Sequence, residues 1–408
     1  MAPPLSPATV RIIKATAPAL ATHGYAITTA MYKRMLPNNP KVSELFNPAH
    51  QVKLPGDSVA RQPQALAQSV LAYAENIDNL GALGPAVERI AQKHVSVHIL
   101  PEHYPVVGEN LLHAIREVLG EAATPEVMDA WKEGYQFLAD IFINREREIR
   151  EGQGARPGGW EGWRDFVVTK KVPESSEIMS FHLKPKDGKG ILPFLPGQYI
   201  GIRVQTPHMT TQRNYSLSSA PGLDEYRISV KREGPAASGC PVGHVSSYLH
   251  DSVNEGDVIK MTVPCGDFFL DIKDDKPIVL LSGGVGITPM ASMLAHIVRT
   301  KVANPVVMVN CSRCPQAAAF GASLQHLAEG KDNISIHSVF SHAGGKAGTT
   351  QGHLTADKLA ALVGDHKDAH YYFCGPPGFM VAVRKILQTW EIPSAQVHYE
   401  FFGPHDVN

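Results

Sequence analysis

The sequence contains no run of about 18 consecutive apolar residues, the length that a helix needs to cross a membrane. It also lacks an excess of charge of either sign. The 38 basic and 39 acidic side chains leave a formal net charge of −1, which excludes a strong field for nucleic acid or anionic lipid. No basic segment followed by an apolar one stands at the start, so we expect no secretory signal. These absences predict a cytoplasmic protein with no nucleic-acid partner and no stable membrane association.

Cysteine is scarce as well. There are five in 408 residues, an odd number that favours a reducing compartment over a disulfide framework. Cys311 and Cys314 match the Cys-x-x-Cys pattern, but no second pair accompanies them, so a structural role is favoured and their function is left open. The remaining composition, 43% hydrophobic and 19% charged, is typical of globular proteins, and the length predicts two or three domains.

Residues 1–150 are predicted to be helical throughout. Apolar residues recur at helical spacing in 70–77 and 87–95, and the prolines, Pro18 and Pro37 among them, are expected at helix ends or in first turns. The last helix is expected from about Pro125 to Arg150. The Gly- and Pro-rich stretch 151–159 that follows is the clearest linker in the chain.

In the rest of the chain, the pattern of apolar and turn residues changes twice, and no internal repeat is evident. From Trp160, short β-like runs separated by turn residues predict a small antiparallel barrel, most clearly at 164–169, 178–183, 198–204 and 226–231. From Lys276, apolar strands alternate with helical stretches, which is typical of a parallel doubly wound sheet; the strands are expected at 277–281, 306–309, 334–339 and 371–374. We therefore predict a multidomain fold: an all-α domain at 1–150, an antiparallel β-barrel at 151–272 and an α/β parallel-sheet domain at 273–408.

A glycine-rich turn joins the first strand of the α/β domain to a helix. Gly283, Gly284 and Gly286 let the backbone come close to a pyrophosphate. Thr288 and Pro289 open a helix, whose N-terminal N–H groups and dipole favour anions. Such a loop alone is weak evidence, because many strand–helix turns use glycine.

Two further motifs accompany this loop, and their order resembles that of the ferredoxin-NADP reductase superfamily. Arg213–Ser218 lies about seventy residues upstream, and Cys374–Met380 lies about ninety residues downstream. The resemblance implies that Arg213 neutralises the diphosphate of FAD, that the ring of Tyr215 stacks on the flavin and that the Ser216 hydroxyl reaches flavin N5. It places other FAD or nicotinamide contacts at Tyr199, Gly243, Val245, Ser246, Cys374, Gly375 and Pro376.

The helical part and the reductase part together resemble the flavohaemoglobin family, from the first helices to Tyr399–Phe402. His94, at the end of Ile90–His94, then corresponds to the proximal iron ligand of a haem b. A lone histidine on an apolar helix face is more often an ordinary core residue, and other histidines in this half compete for the role. The resemblance further assigns Tyr104 and Glu146 as hydrogen-bond partners of His94, which makes the iron more electron-donating.

On the distal side, the resemblance implies that Tyr32 donates a hydrogen bond to a bound ligand and that Phe46 packs against haem. Gln62 and Leu66, four residues apart, match the distal glutamine and a leucine lid on one helix face. The segment between Phe46 and Gln62 is longer than the family usually has, and Gln51 is an alternative distal glutamine. Pro63 is compatible with this assignment only if it lies in the first turn of its helix.

The resemblance also pairs Lys93 with Glu400 across the gap between haem and flavin. We therefore expect an ion pair that bridges the two domains. Phe401 and Phe402 continue the tail that contacts the flavin or nicotinamide, and Phe401 stands where some relatives carry cysteine.

The implied activity is nitric oxide dioxygenation, with electrons passing from NADH or NADPH through FAD to haem and with O2 and NO as small-molecule partners. The domains then become a globin haem domain, an FAD-binding barrel and an NAD(P)H-binding domain in a monomer. Two alternatives remain open: reduction of alkyl or lipid hydroperoxides, ferric iron or quinones along the same electron path, and a non-enzymatic oxygen sensor or store. The nicotinamide preference and a lipid in the haem pocket are left open, although Arg313 hints at tolerance of a 2′-phosphate.

Overall fold

The protein is described by a computed structural model that covers residues 4–54, 57–234, 242–342, 349–364 and 366–403. Cys240 lies outside these residues. The N-terminal part is all-helical, as predicted, and its helices are α1 (Pro7–Asn38), α2 (Pro40–Ser43), α3 (Arg61–Glu75), α4 (Gly84–Ser96), α5 (His103–Leu119) and α6 (Pro125–Gly154). Short 3-10 turns stand at Pro48–Gln51, Leu80–Leu83 and Gly120–Ala122.

Helix α1 runs for 32 residues and contains Pro18 in its interior, so the expectation that this proline marks a helix end or a first turn is wrong. Pro37 lies one residue before the end of the helix, as expected. Pro18 removes one backbone donor, which leaves the Lys14 carbonyl without its intrahelical partner. Lys14 and Pro18 both lie on the exposed face of α1, where water can satisfy that carbonyl. The buried face of the helix continues across the proline through Ala17 and Leu20.

Helix α6 extends past the predicted end at Arg150 to Gly154, into the stretch that was expected to be a linker. Its start is fixed by Thr124, whose side chain accepts a hydrogen bond from the Val127 N–H. Near its end, Gln153 donates to the Pro264 carbonyl oxygen in the next module at 2.7 Å. Contacts between modules therefore hold the end of this helix in place.

The second module is a six-stranded antiparallel sheet with the order β4-β3-β6-β1-β2-β5. A bridge between Leu217 and Ile228 joins its two ends, which closes the predicted barrel. The interior is apolar, and helix α7 (His244–Ser252) packs on it through Val245 and Leu249. The strands are β1 (Arg164–Pro173), β2 (Ile178–Pro185), β3 (Tyr199–Gln205), β4 (Thr210–Ser216), β5 (Tyr226–Lys231) and β6 (Val258–Met261).

The third module is a six-stranded parallel sheet with the order β10-β9-β8-β7-β11-β12. Strand β7 is buried throughout: Ile278 and Leu280 face one helical layer, whereas Val279 and Leu281 face the other. The strands are β7 (Ile278–Gly283), β8 (Val306–Ser312), β9 (Ile334–Phe340), β10 (Thr350–Gln351), β11 (His370–Cys374) and β12 (Val397–Glu400). The helices are α8 (Ile287–Thr300), α9 (Gly321–Ala328), α10 (Ala356–Val363) and α11 (Pro377–Thr389).

The C-terminal end of α4 rests directly on the barrel. A Cβ at Gly201 of β3 would lie 1.7 Å from the Ser96 carbonyl oxygen, so only glycine allows this approach. The same carbonyl accepts a hydrogen bond from Thr262 Oγ1 at 2.9 Å, and the Ser96 hydroxyl donates to Asn214 Oδ1 at 3.0 Å. The helix that carries His94 is thus fixed against strands of the barrel. Within the described residues, no helix is long and apolar enough to span a bilayer.

Candidate functional site

Three helices bring together the residues expected on the proximal side. His94 lies in the last turn of α4, and its Nδ1 is 2.7 Å from Glu146 Oε1 of α6 and 3.0 Å from Tyr104 Oη of α5. Tyr104 also donates a hydrogen bond to Glu146. Burial and the adjacent Glu146 carboxylate raise the pKa of Tyr104, so its phenol stays protonated and acts as a donor. With Nδ1 as the donor to a carboxylate, His94 Nε2 keeps its lone pair for a metal.

The expected distal residues also come together. Gln62, at the start of α3, donates from Nε2 to Tyr32 Oη of α1 at 3.2 Å. The ring of Phe46 meets Tyr32 edge-on, with 5.4 Å between ring centroids, and Leu66 packs against the same hydrophobic core. Desolvation raises the pKa of Tyr32 to about 12 despite the hydrogen bond from Gln62, so the phenol stays protonated.

Gln62, and not Gln51, contacts Tyr32. Pro63 is the third residue of α3 and therefore lies in the first turn, where it costs no intrahelical hydrogen bond. The Pro63 carbonyl oxygen accepts from Thr28 Oγ1 at 2.8 Å, which fixes the start of α3 against α1. Both amide atoms of Gln51 are buried without a hydrogen-bond partner.

The flavin motif lies on β4, directly beside β3. Tyr215 is half-buried, and desolvation raises its pKa. The Ser216 hydroxyl is buried without a hydrogen-bond partner. Arg213 donates to Thr211 Oγ1 at 2.8 Å and, across the module boundary, to Asn47 Oδ1 at 2.8 Å. Tyr199 pairs with Ser216 in the β3–β4 register and is fully buried.

The second phosphate motif is the start of helix α7. Gly243 precedes the helix, and a Cβ there would lie 2.5 Å from Ser246 Oγ. Ser246 Oγ donates to the Gly243 carbonyl oxygen at 3.1 Å and accepts from the Glu233 N–H at 3.1 Å. Its hydroxyl is thus engaged by the protein, whereas the N–H groups of the first turn lack intrahelical partners and can bind an anion. Val245 points into the barrel core.

The glycine loop and the last strand of the dinucleotide motif converge at one edge of the parallel sheet. A Cβ at Gly286 would lie 2.0 Å from the Cys374 carbonyl oxygen, and one at Gly375 would lie 3.1 Å from Gly283 Cα. Gly284 has a φ of +54°, which favours glycine. These two backbone segments therefore pack closely only because their glycines lack side chains, as a pyrophosphate-binding turn requires.

The helix after the glycine loop begins at Ile287, one residue before the predicted start. The Thr288 hydroxyl donates to the Val285 carbonyl oxygen at 3.0 Å, and Pro289 lies in the first turn. After the neighbouring strand β11, Pro376 is the N-cap residue of helix α11. Two helix N-termini therefore start at this edge of the sheet, next to the glycine loop.

A cavity of about 220 Å³ lies where the three modules meet. Lys93 of α4 and Glu400 of β12 both line it but do not form the expected ion pair, because the Lys93 ammonium donates instead to the Gly403 carbonyl oxygen at 3.2 Å. Burial raises the pKa of Glu400 to about 8, which outweighs the opposite effect of Lys93, so the carboxyl is largely neutral near pH 7. Phe401 also lines the cavity, and Phe402 is 44% exposed.

Sequence reasoning missed the residues that join the globin part to the flavin motif. Glu44 pairs with Arg203 of β3 at 2.7 Å, and Asn47 accepts the bond from Arg213. His50, whose Nε2 is 3.2 Å from Asn47 Nδ2, is buried near Arg213 and other cations, which lowers its pKa to about 4. The only signal in the sequence is that these polar residues flank Phe46, because contacts across modules leave no periodic pattern.

Comparisons with known proteins agree with this arrangement. Three family models match in succession: Globin at residues 29–142, Oxidoreductase FAD-binding domain at 165–270 and Oxidoreductase NAD-binding domain at 280–385. The fold and the site thus define an oxidoreductase that joins a globin to a flavin- and nicotinamide-binding reductase.

The full-length relatives narrow this class to one family. A flavohemoprotein of Halalkalibacterium halodurans is 45% identical and aligns over 98% of this chain and 97% of its own length. A flavohemoprotein of Pseudomonas aeruginosa is 45% identical, with 98% of each chain covered. This chain belongs to the flavohaemoprotein family.

Solved structures show the same architecture. The crystal structure of flavohemoglobin from Malassezia yamatoensis, with bound FAD and haem, matches with a TM-score of 0.84 and 26% identity over 98% of this chain and 100% of that one. The FAD/NAD-binding domain of nitric oxide dioxygenase from Vibrio cholerae matches 61% of this chain and 100% of that one, with a TM-score of 0.54 and 37% identity.

Proposed function

We propose that this flavohaemoprotein is a nitric oxide dioxygenase that binds haem b and FAD, takes electrons from NADH or NADPH and converts NO and O2 to nitrate. The observation that carries the proposal is the Tyr32–Gln62 hydrogen bond, found in the same helical module as the His94–Glu146 contact. A distal phenol and a carboxylate-bound proximal histidine suit oxygen activation better than reversible storage.

The residues present fit a haem. Among the described residues there is no cluster of three or more His, Cys, Asp or Glu side chains that could hold a bare metal ion. An iron at His94 would therefore need a porphyrin for its other ligands. His94 can supply one protein ligand to that iron, because Glu146 holds its Nδ1 and leaves Nε2 for the metal.

The residues of the barrel likewise fit a flavin. The buried Ser216 hydroxyl and the buried Glu400 Oε2 both lack a hydrogen-bond partner. Ser216 lies in the motif that the reductase resemblance assigns to the flavin, and Glu400 lies in the tail that the flavohaemoglobin resemblance assigns to it. When bound, haem supplies the iron chemistry with O2 and NO, and FAD splits a two-electron hydride into single electrons. The protein contributes binding, orientation and control of protons.

On the distal side, Tyr32 is the hydrogen-bond donor to a ligand, and Gln62 orients the Tyr32 hydroxyl. Because Gln62 donates to Tyr32 Oη, the phenol proton remains available for a second hydrogen bond to a ligand. On the other side, Glu146 holds the proton at His94 Nδ1 and orients the ring. Both arrangements are in place before a ligand arrives, so little reorganisation is needed.

The reductase half supports an enzyme over a store or sensor. A simple oxygen store needs no dedicated electron supply, whereas dioxygenation of NO consumes one electron per nitrate formed. The likeness to the reductase part of the Vibrio cholerae nitric oxide dioxygenase supports the same assignment.

Replacement of Tyr32 by Phe tests the distal assignment. The variant loses one hydrogen bond to the bound ligand, so O2 should dissociate from the ferrous protein about tenfold faster or more, and NO turnover should fall. Flash photolysis measures the first effect and an NO electrode the second. The control is Tyr73→Phe, which removes a buried phenol that donates to the Gly134 carbonyl oxygen at 2.8 Å in the same module. Unchanged O2 dissociation in Tyr32→Phe would contradict the assigned role.

A further inference from the structure

Arg313 stands at the edge of the parallel sheet where a dinucleotide would lie. Strand β8 pairs with β7 so that Cys311 lies beside Gly283 of the glycine loop, and Arg313 directly follows the last residue of β8. In doubly wound sheets, the side chain at the end of the strand beside the glycine loop contacts the adenosine ribose and reads its 2′ position. Arg313 therefore occupies the position that distinguishes a 2′-hydroxyl from a 2′-phosphate.

The backbone around Arg313 is held on two sides. The Arg313 carbonyl oxygen accepts from the His342 N–H at 2.9 Å, which ties it to the loop after β9. From the other side, the Ser176 N–H in the β1–β2 turn of the barrel donates to the Gln316 carbonyl oxygen at 2.8 Å. The backbone is therefore fixed, whereas the Arg313 side chain is 65% exposed and has room to reorient.

The guanidinium of Arg313 forms an ion pair with Glu177, which belongs to the same β1–β2 turn of the barrel. Glu177 is held in place through its carbonyl oxygen, which accepts from the Arg232 N–H at 2.8 Å, and its side chain is only 23% exposed. An ion pair with so exposed an arginine contributes little free energy. A phosphate, with more charge and more acceptor oxygens than a carboxylate, can therefore compete for the same guanidinium.

We propose that Arg313 binds the 2′-phosphate of NADPH and that Glu177, by pairing with the same guanidinium, sets the ratio in which the protein uses NADPH and NADH. NADH carries a hydroxyl at this position and leaves the ion pair intact. NADPH must displace the Glu177 carboxylate and is also repelled by it. Glu177 thus favours NADH, whereas Arg313 makes NADPH usable.

The test is reduction of the bound flavin in the holoprotein by each nicotinamide under anaerobic conditions, with kcat/KM as the readout. Arg313→Gln should lower kcat/KM for NADPH by about 10- to 100-fold, the effect of losing hydrogen bonds between charged groups, and leave NADH within about twofold. Glu177→Gln should raise the NADPH/NADH ratio by about 3- to 10-fold. An unchanged ratio in Arg313→Gln would overturn the role of Arg313, and an unchanged ratio in Glu177→Gln would overturn that of Glu177.

Binding of 2′,5′-ADP and 5′-AMP, measured by calorimetry, gives a second readout that needs no electron transfer. The affinity for 2′,5′-ADP relative to that for 5′-AMP should fall in Arg313→Gln and rise in Glu177→Gln; the same affinity ratio in all three proteins would contradict the proposal. Asp224→Asn is the matched control, because Asp224 pairs with Lys184 at 2.8 Å on the exposed surface of the same barrel and should change neither ratio. The proposal rests on the proposed function only through flavin reduction by nicotinamide, so a failure to consume NO would leave it standing.

Discussion

At the scale of single residues, Glu400 is the clearest case of a side chain whose charge state depends on its position. It lies where the three modules meet, its Oε2 is buried, and desolvation raises its pKa to about 8. The raised pKa means that the folded protein favours the protonated carboxyl of Glu400. The contribution of this group to the free energy of unfolding is therefore greatest below the ordinary pKa of a carboxyl group. That contribution is lost as pH rises through about 8.

This titration gives a prediction with a spectroscopic readout. A carboxylic-acid C=O band should be present in the infrared spectrum of the holoprotein near pH 6 and should disappear as pH is raised to about 9. Glu400→Gln should lack this band and should lose less stability over the same pH range. Glu391→Gln, at an exposed position, is the control and should retain the band. Absence of the band in the wild-type protein at pH 6 would show that Glu400 is already ionised.

Some side-chain contacts of the site could be predicted from the sequence, and others could not. The contacts of His94 with Tyr104 and Glu146 were predictable because each residue lies in a recognisable motif. For Tyr32 and Gln62, the motifs predicted a shared distal side but not the hydrogen bond between them. The Lys93–Glu400 ion pair was predicted wrongly, because opposite charge alone does not reveal that the Lys93 ammonium donates to the Gly403 carbonyl oxygen instead. The partners of Arg213 and Arg313 in other modules were not predictable, since no local pattern encodes contacts between distant segments.

At the scale of secondary structure, the buried strands of the parallel sheet followed from their continuous apolar runs. Strand β7 spans Ile278–Gly283, close to the predicted range. Strands β4 and β6 were not among the clearest runs, because their residues are mostly polar or few. Helix α1 continues through Pro18, where a helix end or first turn was expected, because tertiary packing on both sides of Pro18 outweighs one lost hydrogen bond.

The contact between α1 and α3 gives a prediction at this scale. Thr28→Val removes the buried hydrogen bond from Thr28 Oγ1 to the Pro63 carbonyl oxygen, which should destabilise the helical module by about 0.5–1.5 kcal/mol. Because this contact fixes the start of α3, the position of Gln62 should change as well. Thermal unfolding followed by haem absorbance measures the effect. Thr22→Val is the control, since Thr22 donates to the Pro18 carbonyl oxygen at an exposed position and should have little effect. Equal stability of the two variants would contradict this account.

At the scale of the whole molecule, the three modules are held at close distance by contacts around α4. Gly201 is essential to this packing, because any side chain there would collide with the Ser96 carbonyl oxygen. Ser96 is two residues from His94, and its hydroxyl bonds Asn214 in the strand that carries the flavin motif. The relative position of the proximal histidine and the flavin strand thus depends on one glycine.

Gly201→Ala should therefore separate the helical module from the barrel. Electron transfer from flavin to haem should slow about tenfold or more, because the two groups move apart, whereas flavin reduction by nicotinamide should change little. Anaerobic stopped-flow absorbance resolves the two steps. Gly190→Ala is the control in the same barrel, since a Cβ there meets no atom within 4 Å. Equal slowing of both steps would indicate general damage to the barrel and contradict the specific role of Gly201.

The central claim, that the assembled chain oxidises NO, is tested most directly by NO consumption in air. The purified holoprotein with NADH or NADPH should remove NO rapidly, and about two nitrates should form for each nicotinamide oxidised. Removal should stop when either O2 or the nicotinamide is withheld. If NO decays no faster with the protein than without it, the proposed function is wrong.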